Sequence, residues 1–169
     1  MLIITFIIIY LLQTVFFTNF TIAGVMPNIL IILMLYIGLY IGRSVGIIYG
    51  IIGGIFIDLW IGKNIGITSI CLASIGILGG TFDKSFSKDS RITILLMVAL
   101  ATLIYEIIMY ALQCIVMNIN PEIMAFIQML IVEIIYNVLI SIIIYPIIKI
   151  TGYEIENEIK GDKIMTRYF

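Results

Sequence analysis

The sequence predicts an all-α integral membrane protein, a bundle of six transmembrane helices with both termini in the cytoplasm. Three observations carry this. The chain of 169 residues is 63% hydrophobic and only 11% charged, with a mean hydropathy of +1.25. A soluble domain carries about 25% charged residues, so this composition supplies no water-facing surface. The apolar residues fall in runs of membrane-spanning length. The basic residues gather on one side of the resulting chain path.

The first span is placed near residues 2–18, in "MLIITFIIIYLLQTVFF". It resembles a signal peptide in greasiness alone. It lacks a basic leading region, and no small-x-small cleavage site follows it, so it is expected to be retained. The next apolar stretch, residues 28–61, would measure about 51 Å as one helix against a hydrocarbon core of about 30 Å. The chain must therefore turn inside it. "GRS" at Gly42–Ser44 is the polar break, with Arg43 as its charge, giving a tight hairpin between spans near 28–42 and 44–61. Further spans are expected near 65–82, 92–117 and 122–149. Residues 1–152 then form one six-span domain and 153–169 a short cytoplasmic tail, "YEIENEIKGDKIMTRYF", of mixed charge.

Arg43, Lys84, Lys88, Arg91, Lys149, Lys160, Lys163 and Arg167 all lie on one side of this path, and Lys63 alone on the other. Basic residues mark the cytoplasmic face. The outer loops are then about 19–27, 62–64 and 118–121. The inner loop "DKSFSKDSR", Asp83–Arg91, is the longest polar break.

Several chemistries are excluded. The chain has no histidine, which removes Ser-His-Asp triads, Cys-His pairs and histidine metal sites. Cys71 and Cys114 fall in apolar runs, far apart, and read as small core residues. The net charge of −1 offers no basic patch for nucleic acid. Asp58 is the sole aspartate in a span, where an intramembrane aspartyl protease needs a pair. Lipid-headgroup transferases need several clustered acids at one interface, usually with metal. No cofactor, metal or catalytic residue is expected.

Two patterns remain. In "GRSVGIIYGIIGGIFID", glycine recurs at Gly42, Gly46, Gly50 and Gly54, and the same step reaches Asp58. Helices in a bilayer associate through close backbone contact, which small residues permit. This line is expected to be a packing face, receiving either another span of the same chain or a partner's helix. The second pattern is Glu106 in "LIYEIIMYALQ" and Glu133 in "LIVEIIYNVLI". In a regular hairpin about "MNINPE" the two carboxyls lie at similar depth, with Asn137 one turn beyond Glu133. No basic residue lies in a span to neutralise them, so at least one is expected to be neutral and hydrogen-bonded. They either pin helices together or line a cavity.

Pro27–Gly80, with Pro27 opening the second span, Gly42-Arg43 at the turn, Gly46, Gly50, Gly54, Asp58 and Gly66, resembles the core of the MreD family of bacterial rod-shape-determining membrane proteins. Glu133 with Asn137, and Tyr145-Pro146, are similar to that family's last span. The resemblance implies a non-catalytic scaffold in the bacterial cytoplasmic membrane. It implies association with MreC, a single-span protein, and indirectly with MreB, RodA and a class B penicillin-binding protein during lateral cell-wall synthesis. It also implies a fold similar to the substrate-binding subunits of ECF vitamin transporters. Such a transporter subunit is the competing function, its outer loops and mid-membrane acids then binding a vitamin. Here those loops are short and lack a polar, aromatic-rich lid.

Overall fold

The computed structural model describes residues 2–62, 65–85, 90–118 and 120–165. Residues 63–64 of the outer turn, residues 86–89 of the inner loop and residues 166–169 of the tail lie outside the described residues. Among the described residues the chain is helical, with six helices and no strand beyond one isolated bridge. Three helices hold windows long and apolar enough to cross a membrane by length and composition: Arg43–Trp60, Arg91–Met117 and Ile123–Glu156. Ile4–Asn19, Ile29–Ile41 and Ile67–Asp83 are shorter apolar helices.

Helix α1 (Leu2–Leu11) continues through a π turn (Leu12–Phe16) and a 3-10 turn (Phe17–Asn19). The chain then makes a tight reversal in which Ile22 and Val25 exchange backbone hydrogen bonds at 2.9–3.0 Å. Ala23 and Gly24 at its tip both have positive φ, 51° and 79°, the geometry of a mirror-image hairpin turn. Helix α2 (Ile29–Tyr36) ends in a second π turn (Ile37–Ile41).

Gly42 alone separates that turn from α3 (Arg43–Ile61). Its φ of 124° and ψ of 165° lie in a region open to glycine and closed to other residues. This is why so apolar a segment can reverse on a single residue. Helix α3 closes on Gly62, in the left-handed conformation with φ 69° and ψ 22°.

Helix α4 (Ile67–Ser85) runs back along α3 in the most extensive pairing of the fold and also touches α2 and α5. Residues such as Cys71, Leu72 and Ile75 are fully buried, so α4 is the central post. Helix α5 (Arg91–Met117) starts at Ser90, whose hydroxyl accepts from the Thr93 N–H. Helix α6 (Ile123–Met165) runs unbroken past Pro146. The sequence placed the end of the last span near residue 149 and a separate tail after it. The helix itself carries on through the mixed-charge segment to Met165, since a change from apolar to charged residues ends a membrane span without ending a helix.

Candidate functional site

The glycine line of α3 faces α4. A Cβ built on Gly46 would stand 2.9 Å from the Gly76 Cα, and one on Gly50 would stand 2.6 Å from the Ala73 Cα. A Cβ on Gly54 would meet the backbone of Ser69, with the Ser69 hydroxyl 2.8 Å away. All three contacts are backbone against backbone, which cannot yield as a flexible side chain can. The strip thus packs against another helix of the same chain. Gly42 departs from the line: a Cβ there would touch nothing within 4 Å, and its role is the turn. Arg43 next to it is exposed as the first residue of α3, and its Cα covers Gly80.

The strip has a matching set on α4 that sequence reasoning passed over. Gly76 backs onto Gly46, Gly79 onto the backbone of Leu35 and Leu39, and Gly80 onto Arg43. Small residues therefore appear on both faces of α4, which lets α2 and α3 approach it from two sides. The signal was present in "ASIGILGG".

Asp58 extends the same seam by a different means. It is 4% exposed, and its Oδ2 accepts the Gly66 N–H at 2.7 Å. Gly66, with φ 104°, directly precedes α4. The carboxylate thus caps the positive end of α4 and closes the α3–α4 hairpin. The Asp58 carbonyl also accepts from Gly62 at the end of α3, at 3.0 Å.

The second cluster surrounds the start of α2. Helix N-termini leave N–H groups without partners, and burial makes an unpaired one costly. Here two side-chain amides from other helices supply the acceptors. The Asn28 N–H donates to Asn137 Oδ1 at 2.7 Å, and the Ile29 N–H donates to Gln13 Oε1 at 2.9 Å. Gln13 Nε2 in turn donates to the Pro27 carbonyl at 2.6 Å. Pro27 is buried and precedes the helix, which opens at Ile29.

Asn137, fully buried, is the hub. Its Nδ2 donates to Thr102 Oγ1 at 3.1 Å, and Thr102 donates onward to the Val98 carbonyl at 2.9 Å. Glu133 lies one turn back on α6, beside the Asn137 amide. The Glu133 and Glu106 carboxyls face each other across the α5–α6 interface, 6% and 7% exposed. Tyr105 lies beside both acids and beside the Asn28 side chain. The structure thus brings Glu106, Glu133 and Asn137 together, and adds Gln13, Asn28 and Thr102. Neither Gln13 nor Thr102 was singled out from the sequence, although Gln13 is a lone amide in an apolar run and so carried a signal.

Among the described residues no group of three or more Cys, Asp or Glu could hold a metal ion. The polar cluster can tie α1, α2, α5 and α6 to one another through the bonds of Gln13, Asn137 and Thr102.

No curated protein and no solved structure gives a significant match to the chain. The family model described as MreD, rod shape-determining protein MreD, matches residues 1–151. With its helical architecture and that match over most of its length, the chain belongs to the MreD family, whose members are rod-shape-determining membrane proteins.

Proposed function

We propose that the chain is a non-catalytic membrane scaffold of the bacterial cell-elongation machinery, binding MreC and helping to set rod shape through lateral cell-wall synthesis. In this reading it crosses the cytoplasmic membrane six times, with both termini inside. MreB, RodA and a class B penicillin-binding protein are engaged indirectly. The observation that carries the reading is the family match over residues 1–151. The interior supports it: Gln13, Asn137 and Thr102 hydrogen-bond between helices, an arrangement that ties the bundle together.

The spans shorter than a bilayer fit the same picture. Helix α2 with its π turn covers about 20 Å, less than the core of about 30 Å. Irregular backbone at membrane depth is tolerated where it is buried in protein. The segment entering α2 meets this condition through Gln13 and Asn137. A fold similar to ECF substrate-binding subunits is part of this proposal, and their vitamin-binding function is its competitor.

Because α4 fills the glycine face of α3, an MreC helix docks on another surface of the bundle. The test is co-expression of the tagged chain with MreC from the same cell, followed by purification in mild detergent. A stoichiometric complex is expected. Absence of MreC, together with a retained vitamin-sized ligand, would move the assignment to the transporter subunit.

A further inference from the structure

Helices α1, α2 and α6 do not close on one another. Between them lies a cleft of about 630 Å³, inside the range of about 300–1,000 Å³ typical of ligand sites. Its walls are mostly large aliphatic side chains, among them Ile9, Leu33, Ile37, Ile144 and Ile148. It extends along α2 from Ile29 to Ile41, about 18 Å at the helical rise. Half of a hydrocarbon core is about 15 Å, so the cleft matches one leaflet and falls short of a crossing helix.

The cleft is also the wrong surface for a helix on other grounds. Helix docking in lipid favours small residues. The glycine in this wall, Gly152, is already covered by the Tyr40 ring, whose nearest atoms would lie 2.8 Å from a Cβ there. What remains is bulky and irregular, a lining that a flexible hydrocarbon chain can follow.

The two ends differ. Phe16, Phe17 and Ile29 close one end, while Thr5, Tyr40 and Thr151 lie toward the other. Cations sit beside this polar end. The Tyr40 ring meets the Tyr153 ring edge-on at 5.5 Å. Lys149 Nζ stands 5.9 Å from the ring centroids of both Tyr153 and Tyr145, and Arg91 Cζ stands 5.9 Å from the Tyr145 centroid. Glu156 also faces Tyr40, so among the described residues Lys149, Arg91 and Glu156 gather about the mouth. In the orientation proposed above this end faces the cytoplasm.

We propose that the α1–α2–α6 cleft seats an acyl chain of an anionic phospholipid from the cytoplasmic leaflet, with its phosphate held beside Lys149 and Arg91. The inference rests on the proposed orientation, but not on MreC binding. The lipid would fill a seam that the helices leave open and fix α1 against the bundle, where the chain's own packing is sparse.

The test uses the full chain, purified and delipidated in mild detergent, then titrated with dioleoyl phosphatidylglycerol or dioleoyl phosphatidylcholine and read by native mass spectrometry. Phosphatidylglycerol is expected to bind more tightly. Lys149→Gln should weaken it about fivefold and leave phosphatidylcholine unchanged, since one cation near a lipid surface contributes about 1 kcal/mol. Ile148→Trp and, separately, Leu33→Phe should lower retention of both lipids by filling the cleft, with monodisperse elution showing that each variant is folded. Equal affinity for the two lipids, or unchanged retention in a folded cleft-filled variant, overturns the proposal. So does a photo-cross-linker at Ile148 that captures a polypeptide and no lipid. None of these readouts involves MreC, so the scaffold reading is tested separately by co-purification.

Discussion

The Asn137 side chain accepts the Asn28 backbone N–H at 2.7 Å, joining positions 109 residues apart in the chain. This bond lets α2 begin inside the bundle and not at its surface. The Asn137 amide nitrogen donates to Thr102, so one residue ties α2, α5 and α6 together. Asn137→Leu should therefore destabilise the protein by about 1–3 kcal/mol, the cost of an orphaned buried donor. Thr102→Val should cost less. The double variant should fall short of additivity by about 0.5–2 kcal/mol, as for interhelical hydrogen bonds in membranes. Thermal unfolding in detergent of the four forms checks this; strict additivity would mean the contact is not energetically coupled.

The acids beside this hub, Glu106 and Glu133, are buried face to face. Glu106→Gln and Glu133→Gln each preserve shape and hydrogen-bonding capacity, so each should fold and bind MreC nearly as the parent does. Glu133→Ala leaves Glu106 without its partner and should lose about 1–3 kcal/mol. Loss of MreC binding in a folded glutamine variant would indicate that a carboxylate charge, and not architecture, is what the site provides.

The glycines of α3 separate by what they face. Gly50 meets the backbone of Leu72 and Ala73, whereas Gly53 meets the Phe6 ring of α1. Backbone cannot move aside, so Gly50→Ala should cost about 1–3 kcal/mol through overpacking. At Gly53 the contact is with the tip of the Phe6 side chain, which can swing about χ1, and alanine recovers up to about 1 kcal/mol of helix propensity. Gly53→Ala should therefore be near neutral. Both proteins should insert into the membrane, with size-exclusion profiles and unfolding temperatures distinguishing them. Equal damage at the two positions would contradict the packing seen here.

These contrasts also show what the sequence could carry. Glycine at every fourth position of α3 declared a close-packing face, and Gly76, Gly79 and Gly80 hold the information about its partner. A one-dimensional spacing cannot say which of two small-residue helices meet. Asp58 was legible as an acid on the seam, but not as the cap of α4, since that depends on how Gly66 turns the chain. The Glu106–Glu133 juxtaposition followed from hairpin symmetry, which needs only a regular connection. Gln13 and Asn28 were not legible as partners, because their bonds arise where α2 starts late and its entering backbone is buried. That α6 runs into the tail as one helix was not legible, because a change from apolar to charged residues ends a membrane span without ending a helix.

Asp58 is the test of the hairpin's closure. Its carboxylate accepts the Gly66 N–H ahead of α4, a role that asparagine keeps in part and alanine does not. Asp58→Ala should lose about 0.5–2 kcal/mol, the range for removing a helix-capping acceptor, and Asp58→Asn clearly less. Hydrogen exchange at Gly66 and the first turn of α4 should rise in the alanine variant and stay near the parent value in the asparagine one. Parent-like exchange in Asp58→Ala would remove the capping role.

The six-span orientation can be read independently of any partner. Arg43 and Asn120 are both exposed, at the α2–α3 turn and in the α5–α6 connection respectively. In the proposed orientation they lie on opposite sides of the membrane, Arg43 inside and Asn120 outside. With Cys71 and Cys114 replaced by serine and alanine, Asn120→Cys should react with a membrane-impermeant maleimide in intact cells whose outer barrier is open. Arg43→Cys should react only after the cytoplasmic membrane is permeabilised. The basic residues at the Arg43 end drive this expectation, because translocating them is disfavoured. Labelling of both sites from outside would mean that the Gly42 turn does not face the cytoplasm, and the cleft mouth at Lys149 would lose its assigned leaflet with it.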